Sequence, residues 1–129
     1  MSTFRLIDSY SDSYVMTISS EKEMIDKLND IERGGTRVVL LHSSDSGTLT
    51  IGVGIPLGFV EYMNATATPP YLIATDNTTN DDSFAEFDTG GTLTPVSTRY
   101  CIPFEKVLEI AAFFLKNGEL SENVHWENV

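Results

Sequence analysis

Cysteine and histidine, on which many active sites and metal sites depend, are scarce in this chain. Cys101 is the one cysteine among 129 residues, so no internal disulfide can form and nothing calls for an oxidising compartment. His42 and His125 are the two histidines, and neither stands beside a serine or cysteine in a nucleophile-elbow pattern. Clusters of Cys and His with metal-ligand spacing are absent. We therefore expect no catalytic residues, no metal and no cofactor.

Long apolar runs and positive charges are scarce as well. No stretch approaches the ~20 apolar residues of a membrane span, and residues 1–10 lack the apolar run of a signal peptide. Eight Lys and Arg stand against 19 Asp and Glu, a formal net charge of -11. Such a body repels nucleic acid and anionic membranes and attracts basic partners. We expect a cytoplasmic protein that binds neither nucleic acid nor membrane; the alternative is that the charge serves solubility alone.

The distribution of apolar residues predicts a single domain over residues 1–129, with a polar lead-in at residues 1–12. A chain of this length can bury a core without disulfides or metals. Alternating apolar residues and turn signals mark a series of strand candidates. These candidates cover residues 14–19, 37–42, 48–55, 59–63, 71–75, 84–87 and 96–102.

Two helices interrupt and close this series of strands. Ser20 and Glu23 form a capping box, and apolar residues at helical spacing carry the first helix to Gly34. Pro103 occupies the expected first position of the second helix, whose broad apolar face ends at Gly118. The order predicts an α+β fold. We expect one mostly antiparallel sheet of five to six strands, with both helices packed on one face.

Two segments of the sequence resemble ligand-binding motifs, but neither matches its motif in full. The series Gly52, Gly54, Gly58 is not a dinucleotide-binding loop, because the third glycine is one place late and Pro56 falls where a helix should begin. We expect these glycines to let another element approach a strand. A calcium loop starting at position 76 fails because Asp81 occupies the place that needs glycine.

An acidic segment with aromatic residues is the strongest candidate site. It contains five acids and no lysine or arginine, and Phe84 and Phe87 lie among the acids. One interpretation is a protein-binding surface with aromatic anchors and an acidic rim. The other is a solvated loop followed by a strand whose aromatics face the core. The candidate contact set is Asp76, Asp81, Asp82, Glu86 and Asp88, with Asp45 and Glu61 as outer candidates.

Other conspicuous residues have structural interpretations. Cys101 is expected to be a small buried hydrophobe in the last strand, and His42, which ends a strand, a structural histidine. Trp126 is expected to pin the chain end to the core. The carboxylates of Glu61, Glu86 and Asp88 could serve acid–base chemistry, but nothing in their spacing marks them as buried, and a solvated strand face is the favoured explanation.

The second half of the chain has a familiar order of segments. They are Leu49-Thr50-Ile51-Gly52, Phe87-Asp88-Thr89-Gly90-Gly91, Tyr100-Cys101-Ile102-Pro103, Phe113-Phe114-Leu115-Lys116-Asn117-Gly118 and His125-Trp126-Glu127. Together they resemble the Imm1 family of bacterial immunity proteins, with a strand bearing Ile-Gly, a Gly-Gly turn, a proline-started helix and a closing Trp. The resemblance covers roughly residues 14–127.

The resemblance implies a function without catalysis. Imm1 proteins are encoded beside polymorphic or contact-dependent toxins, often with a nucleic-acid deaminase domain, and block the toxin in the producing cell. The expected partner is therefore a toxin domain, a deaminase or a nuclease, whose cleft is basic because it attracts phosphates. Two alternatives remain open: an interaction adaptor without a toxin, and a small enzyme that uses buried carboxylates.

Overall fold

Two helices and ten strands make up the described part of the chain. In this computed structural model the described residues are 3–8, 15–54, 56–75, 83–89 and 91–128. The helices are Glu21–Arg33 (α1) and Phe104–Asn117 (α2). The strands are Phe4–Asp8 (β1), Val15–Ile18 (β2), Arg37–Ser43 (β3), Gly47–Val53 (β4), Leu57–Met63 (β5), Leu72–Thr75 (β6), Phe84–Thr89 (β7), Thr92–Ser97 (β8), Ile102–Pro103 (β9) and His125–Asn128 (β10).

The strands form a large antiparallel sheet and a separate hairpin. The sheet has the order β10-β6-β5-β4-β3-β1-β2, and β9 pairs with the beginning of β5. β7 and β8 pair only with each other. The predicted α+β class is confirmed, but the count of five to six strands in one sheet is wrong. The sheet holds eight strands, and two more form the hairpin.

The N-terminal residues belong to the sheet rather than to a lead-in. The prediction of a polar lead-in at residues 1–12 is wrong for Phe4–Asp8, which lies between β3 and β2. Phe4 and Leu6 are buried in the core while Arg5 points to solvent. This alternation is too short, and too mixed with charge, to stand out from the sequence.

Both helices pack on one face of the sheet, as predicted. α1 begins at the expected cap: Ser20 Oγ accepts a hydrogen bond from the Glu23 amide at 3.1 Å. The Glu23 carboxylate accepts from the Ser19 amide rather than from that of Ser20, so the box is displaced by one residue. Pro103 is the residue before α2 rather than its first residue, because it still belongs to β9, where it pairs with Leu57 of β5.

The core therefore lies in two layers, one on each face of the sheet. The larger layer lies between the sheet and the helices and contains Leu41, Leu49, Ile51, Val107 and Phe114, among others. The smaller layer lies on the opposite face, beneath the hairpin. Its buried members are Val38, Phe59, Phe87 and Cys101.

Two glycines make the seat on which the hairpin packs. Gly52 lies opposite Phe59 across β4 and β5, and a Cβ at Gly52 would come within 2.0 Å of the Phe59 ring. A Cβ at Gly54 would lie 3.3 Å from the Phe87 ring, whereas Gly58 faces the helices, where a Cβ would lie 2.9 Å from Val107. The prediction that glycines allow a close approach at this strand is confirmed. The Phe59 ring lies over Gly52 and meets Phe87 from the hairpin edge to face, with 4.9 Å between ring centroids.

The end of the hairpin differs from the strand predicted at residues 96–102. The strand is earlier, Thr92–Ser97, and a single 3-10 turn, Thr98–Tyr100, follows it. Pro95 lies inside the strand, which is possible because β8 pairs on one side only and forms an edge. Cys101 follows the 3-10 turn and precedes β9.

Candidate protein-binding surface

Alternation along β7 and β8 gives the hairpin one face against the sheet and one toward solvent. Ala85 and Phe87 point inward and pack on the smaller core layer. Residues two apart on a strand share a face, so the other positions of β7 point outward. Register places three β8 residues beside them on the same side. We call this surface the hairpin outer face; its residues are Phe84, Glu86, Asp88, Leu93, Pro95 and Ser97.

Large apolar side chains are exposed on the hairpin outer face. Phe84 is 66% exposed and Leu93 59% exposed, well above Met63 at 37% and Tyr71 at 40% elsewhere. Single exposed apolar side chains are ordinary, but two on one small face together with an exposed proline form a patch. Such patches mark surfaces that bind other molecules.

Carboxylates lie between and beside these apolar residues. Glu86 is exposed and Asp88 half-buried. Asp88 Oδ1 accepts a hydrogen bond from the Gly91 amide at 2.7 Å, which holds the turn of the hairpin. The sequence of residues 83–97 contains no lysine or arginine. The hairpin outer face is therefore apolar and anionic at once.

The structure divides the two aromatic residues of the acidic segment. Phe87 is 1% exposed and belongs to the core, as one interpretation of the sequence required. Phe84 points to solvent, as the other interpretation required. Of the five acids in the candidate contact set, Glu86 and Asp88 share the hairpin outer face. Asp76, Asp81 and Asp82 lie outside the described residues.

The two outer candidates lie elsewhere. Asp45 is exposed in the turn between β3 and β4, at the opposite end of these strands from the hairpin contact at Val38 and Phe59. That separation is roughly 20 Å along the strand direction. Glu61 is on β5, two residues from Phe59 and on the same face of the sheet. The structure thus groups Glu86 with Asp88 and does not bring Asp45 to them.

Among the described carboxyl groups, that of Glu61 has an altered environment. It is half-buried between Thr50 and Ile73, its partners on the two neighbouring strands. Burial raises the pKa of Glu61 above its ordinary value of 4.5. Glu127 lies beyond Ile73 on the same face, roughly 10 Å away across two strand spacings, and accepts from Arg99 at 3.2 Å. Ile73 lies between these two carboxyl residues on this face of the sheet.

The remaining chemistry-bearing side chains have structural contacts. His42 Nδ1 lies 2.7 Å from Thr48 Oγ1, which gives this ring nitrogen a hydrogen-bond partner. Cys101 is buried, and burial raises the pKa of its thiol to about 11. Trp126 is half-buried against the main core and donates from Nε1 to the Ser121 carbonyl at 2.9 Å, so it pins β10 as expected. Within the described ranges no three His, Cys, Asp or Glu form a metal-binding group.

A second concave surface lies between the two helices. A groove of about 660 Å³ is lined by half-buried Ile25, Leu108 and Phe113 and by exposed Glu21 and Glu105. Lys116 crosses it and lies 3.8 Å from Glu21, so part of its negative charge is compensated. Among the described helices none is long and apolar enough to cross a membrane.

Sequence reasoning named Phe84 as a possible anchor but missed the other apolar residues of the hairpin outer face. Leu93 was not a candidate, because an isolated leucine between threonines carries no signal until the partner strand is known. Its register opposite Asp88 supplies that signal.

Comparison with known proteins gives one family. The family model described as immunity protein Imm1 matches residues 12–128, a range that includes the hairpin and both helices. None of the curated proteins matches the chain.

Proposed function

Since the chain belongs to the Imm1 family of immunity proteins, we propose that it protects the producing cell by binding a cognate toxin domain through the hairpin outer face and closing the toxin's active-site cleft. The toxin is proposed to be a deaminase or nuclease that acts on nucleic acid. One observation carries the location: exposed Phe84 and Leu93 lie among carboxylates on a projecting hairpin. Neither residue contributes to the core layer beneath it.

Electrostatics supports a basic partner. A domain that binds nucleic acid neutralises phosphates with Lys and Arg, so its cleft is positive. Carboxylates can occupy the places of the phosphates, and Glu86 and Asp88 present them together. Asp76, Asp81 and Asp82, which follow β6 in the sequence, are proposed as further toxin contacts because of their charge. The net charge of -11 draws the partners together before contact.

The proposed mechanism is inhibition by occlusion, without catalysis. The carboxylate enzyme remains the less supported alternative, because Glu86 and Asp88 lie on the outer face of the hairpin whereas Glu61 lies on β5 of the large sheet. An adaptor without a toxin would use the same hairpin outer face, and the two differ only in the partner. The proposal also keeps the chain in the cytoplasm, where a producing cell meets its own toxin.

The test measures binding and inhibition of the toxin domain encoded beside the gene of this chain. The purified chain should inhibit the toxin's activity at equimolar concentration, and association should slow as NaCl is raised. Glu86→Lys reverses a charge on the hairpin outer face and should slow association at low salt by on the order of ten-fold.

Glu119→Lys is the matched control for this experiment. It makes the same charge change at an exposed residue next to Gly118, which lies against the β3–β4 turn at the far end of the sheet. Equal effects of Glu86→Lys and Glu119→Lys would contradict the hairpin as the interface. Absence of both binding and inhibition would overturn the immunity role for that toxin.

A further inference from the structure

We infer that Phe84 and Leu93 are the apolar anchors that hold the toxin, and that the neighbouring carboxylates steer it into place. The inference rests on the proposed function and deepens it. It assigns the toxin a surface chemistry: a positive rim with two apolar recesses that receive these side chains. It also assigns different roles to the two kinds of residue on the hairpin outer face: the apolar residues hold the bound toxin, and the carboxylates speed its approach.

The positions of the two side chains fit a two-point contact. Phe84 pairs with Ser97 at the base of the hairpin, whereas Leu93 pairs with Asp88 near its turn. The two are on different strands and roughly 13 Å apart along the hairpin. Glu86, paired with Pro95, lies between them. The order along the surface is apolar, acidic and apolar, so one partner can contact all three groups at once.

The rigidity of the hairpin adds to this arrangement. Phe87 packs edge to face on Phe59 beneath the hairpin outer face, and Thr98 donates back to the Ser83 carbonyl at its base. The Asp88–Gly91 hydrogen bond holds its turn. Anchors on a fixed strand lose little conformational freedom when they bind, since the backbone is already ordered. Buried aromatic and apolar anchors are the residues that dominate affinity in many protein interfaces.

Charge favours a basic partner over a second copy of this chain. Two copies docked through the hairpin outer face would bring Glu86 and Asp88 against the same residues of the other copy. Each copy also has a net charge of -11, so approach is repelled. With a basic toxin domain, both the local contacts of Glu86 and Asp88 and the long-range interaction of the net charges become attractive. The groove between α1 and α2 is less suitable, because Lys116 lies across it beside Glu21.

The two kinds of residue should affect different rate constants. Exposed charges act at long range and set association, whereas buried apolar contacts set dissociation. Phe84→Ala and Leu93→Ala are each expected to raise the dissociation rate constant about ten-fold or more, and to change the association rate constant less than about three-fold. Glu86→Gln is expected to lower the association rate constant at low salt, which neither apolar truncation should do. Surface plasmon resonance with a catalytically inactive toxin domain gives both constants.

Met63→Ala is the matched control, since it truncates an exposed apolar side chain off the hairpin. Thermal melts of all variants show whether each remains folded. If the toxin binds but Phe84→Ala and Leu93→Ala leave dissociation unchanged, the inference is overturned and the proposed function stands. If the wild-type chain neither binds nor inhibits the toxin, both fall. Sedimentation that shows a dimer dissolved by Phe84→Ala would make a second copy the occupant and also overturn the inference.

Discussion

Phe84 and Phe87 show how a single residue position decides between core and surface. Side chains three apart on a strand point to opposite faces. The sequence could therefore predict that the two side chains separate, but not which of them is buried. That choice depends on Phe59, which lies over Gly52 and packs against Phe87. A contact between residues so distant in the chain leaves no local pattern.

Glu61 offers a prediction at the same scale. Its pKa is raised by burial, so the folded chain holds this proton more tightly than the unfolded chain does. Between the ordinary value of 4.5 and the raised folded pKa, the free energy of unfolding therefore falls as pH rises. Glu61→Gln removes this titration. Its free energy of unfolding, relative to wild type, should increase from about pH 4 to pH 7 in urea denaturation.

Glu86→Gln serves as the control for that series. It removes the same charge from an exposed position on the hairpin. If both variants gain stability equally with pH, relief of the overall negative charge explains the effect, and burial of Glu61 does not.

Among the elements, those with local signals were predictable. α1 has a cap, a periodic stripe and a terminal glycine, and α2 has a broad apolar face that ends at Gly118, whose φ is 68°. β3 and β4 alternate around a short turn. β9 and β10 were missed because one has two residues and the other is mainly polar. Pairing with β5 and β6, which are distant in sequence, makes them strands.

The attachment of the hairpin is tested by a pair of substitutions in β7. Phe87→Ala removes an aromatic ring from the smaller core layer and leaves a cavity there, so it should lower the free energy of unfolding by about 3–5 kcal/mol. Phe84→Ala, three residues away and 66% exposed, should change it by less than about 0.5 kcal/mol. Urea denaturation followed by circular dichroism measures both. A comparable loss in the two variants would mean that Phe84 also supports the fold.

At the scale of the whole molecule, the amino-acid composition indicated which segment contains the candidate site. It did not indicate which residues of that segment and its partner strand share the surface. The excess of acids, and the acidic segment without lysine or arginine, predicted a binding surface around β7. The structure places Glu86 and Asp88 on one face there. Asp45 shares their charge but lies at the other end of the sheet. Leu93 was missed because exposure is a property of the assembled surface, which composition does not contain.

The overall charge carries its own prediction. With a net charge of -11, like charges repel one another in the folded state more than in the expanded unfolded chain. Raising NaCl from about 10 mM to 100 mM shortens the screening length from roughly 30 Å to 10 Å, so the melting temperature should rise. A gain of ~1 kcal/mol would appear as about 4 °C. A fall instead would show that ion pairs such as Arg99–Glu127 outweigh the repulsion.

The small core layer beneath the hairpin has a consequence for how such a protein changes over generations. Val38, Phe59, Phe87 and Cys101 hold the hairpin from within, whereas Phe84, Glu86 and Leu93 point outward and take no part in that packing. Substitutions at these three positions can therefore accumulate without loss of the fold. If the hairpin outer face binds the toxin as proposed, its specificity can change over generations while the core that supports it stays the same.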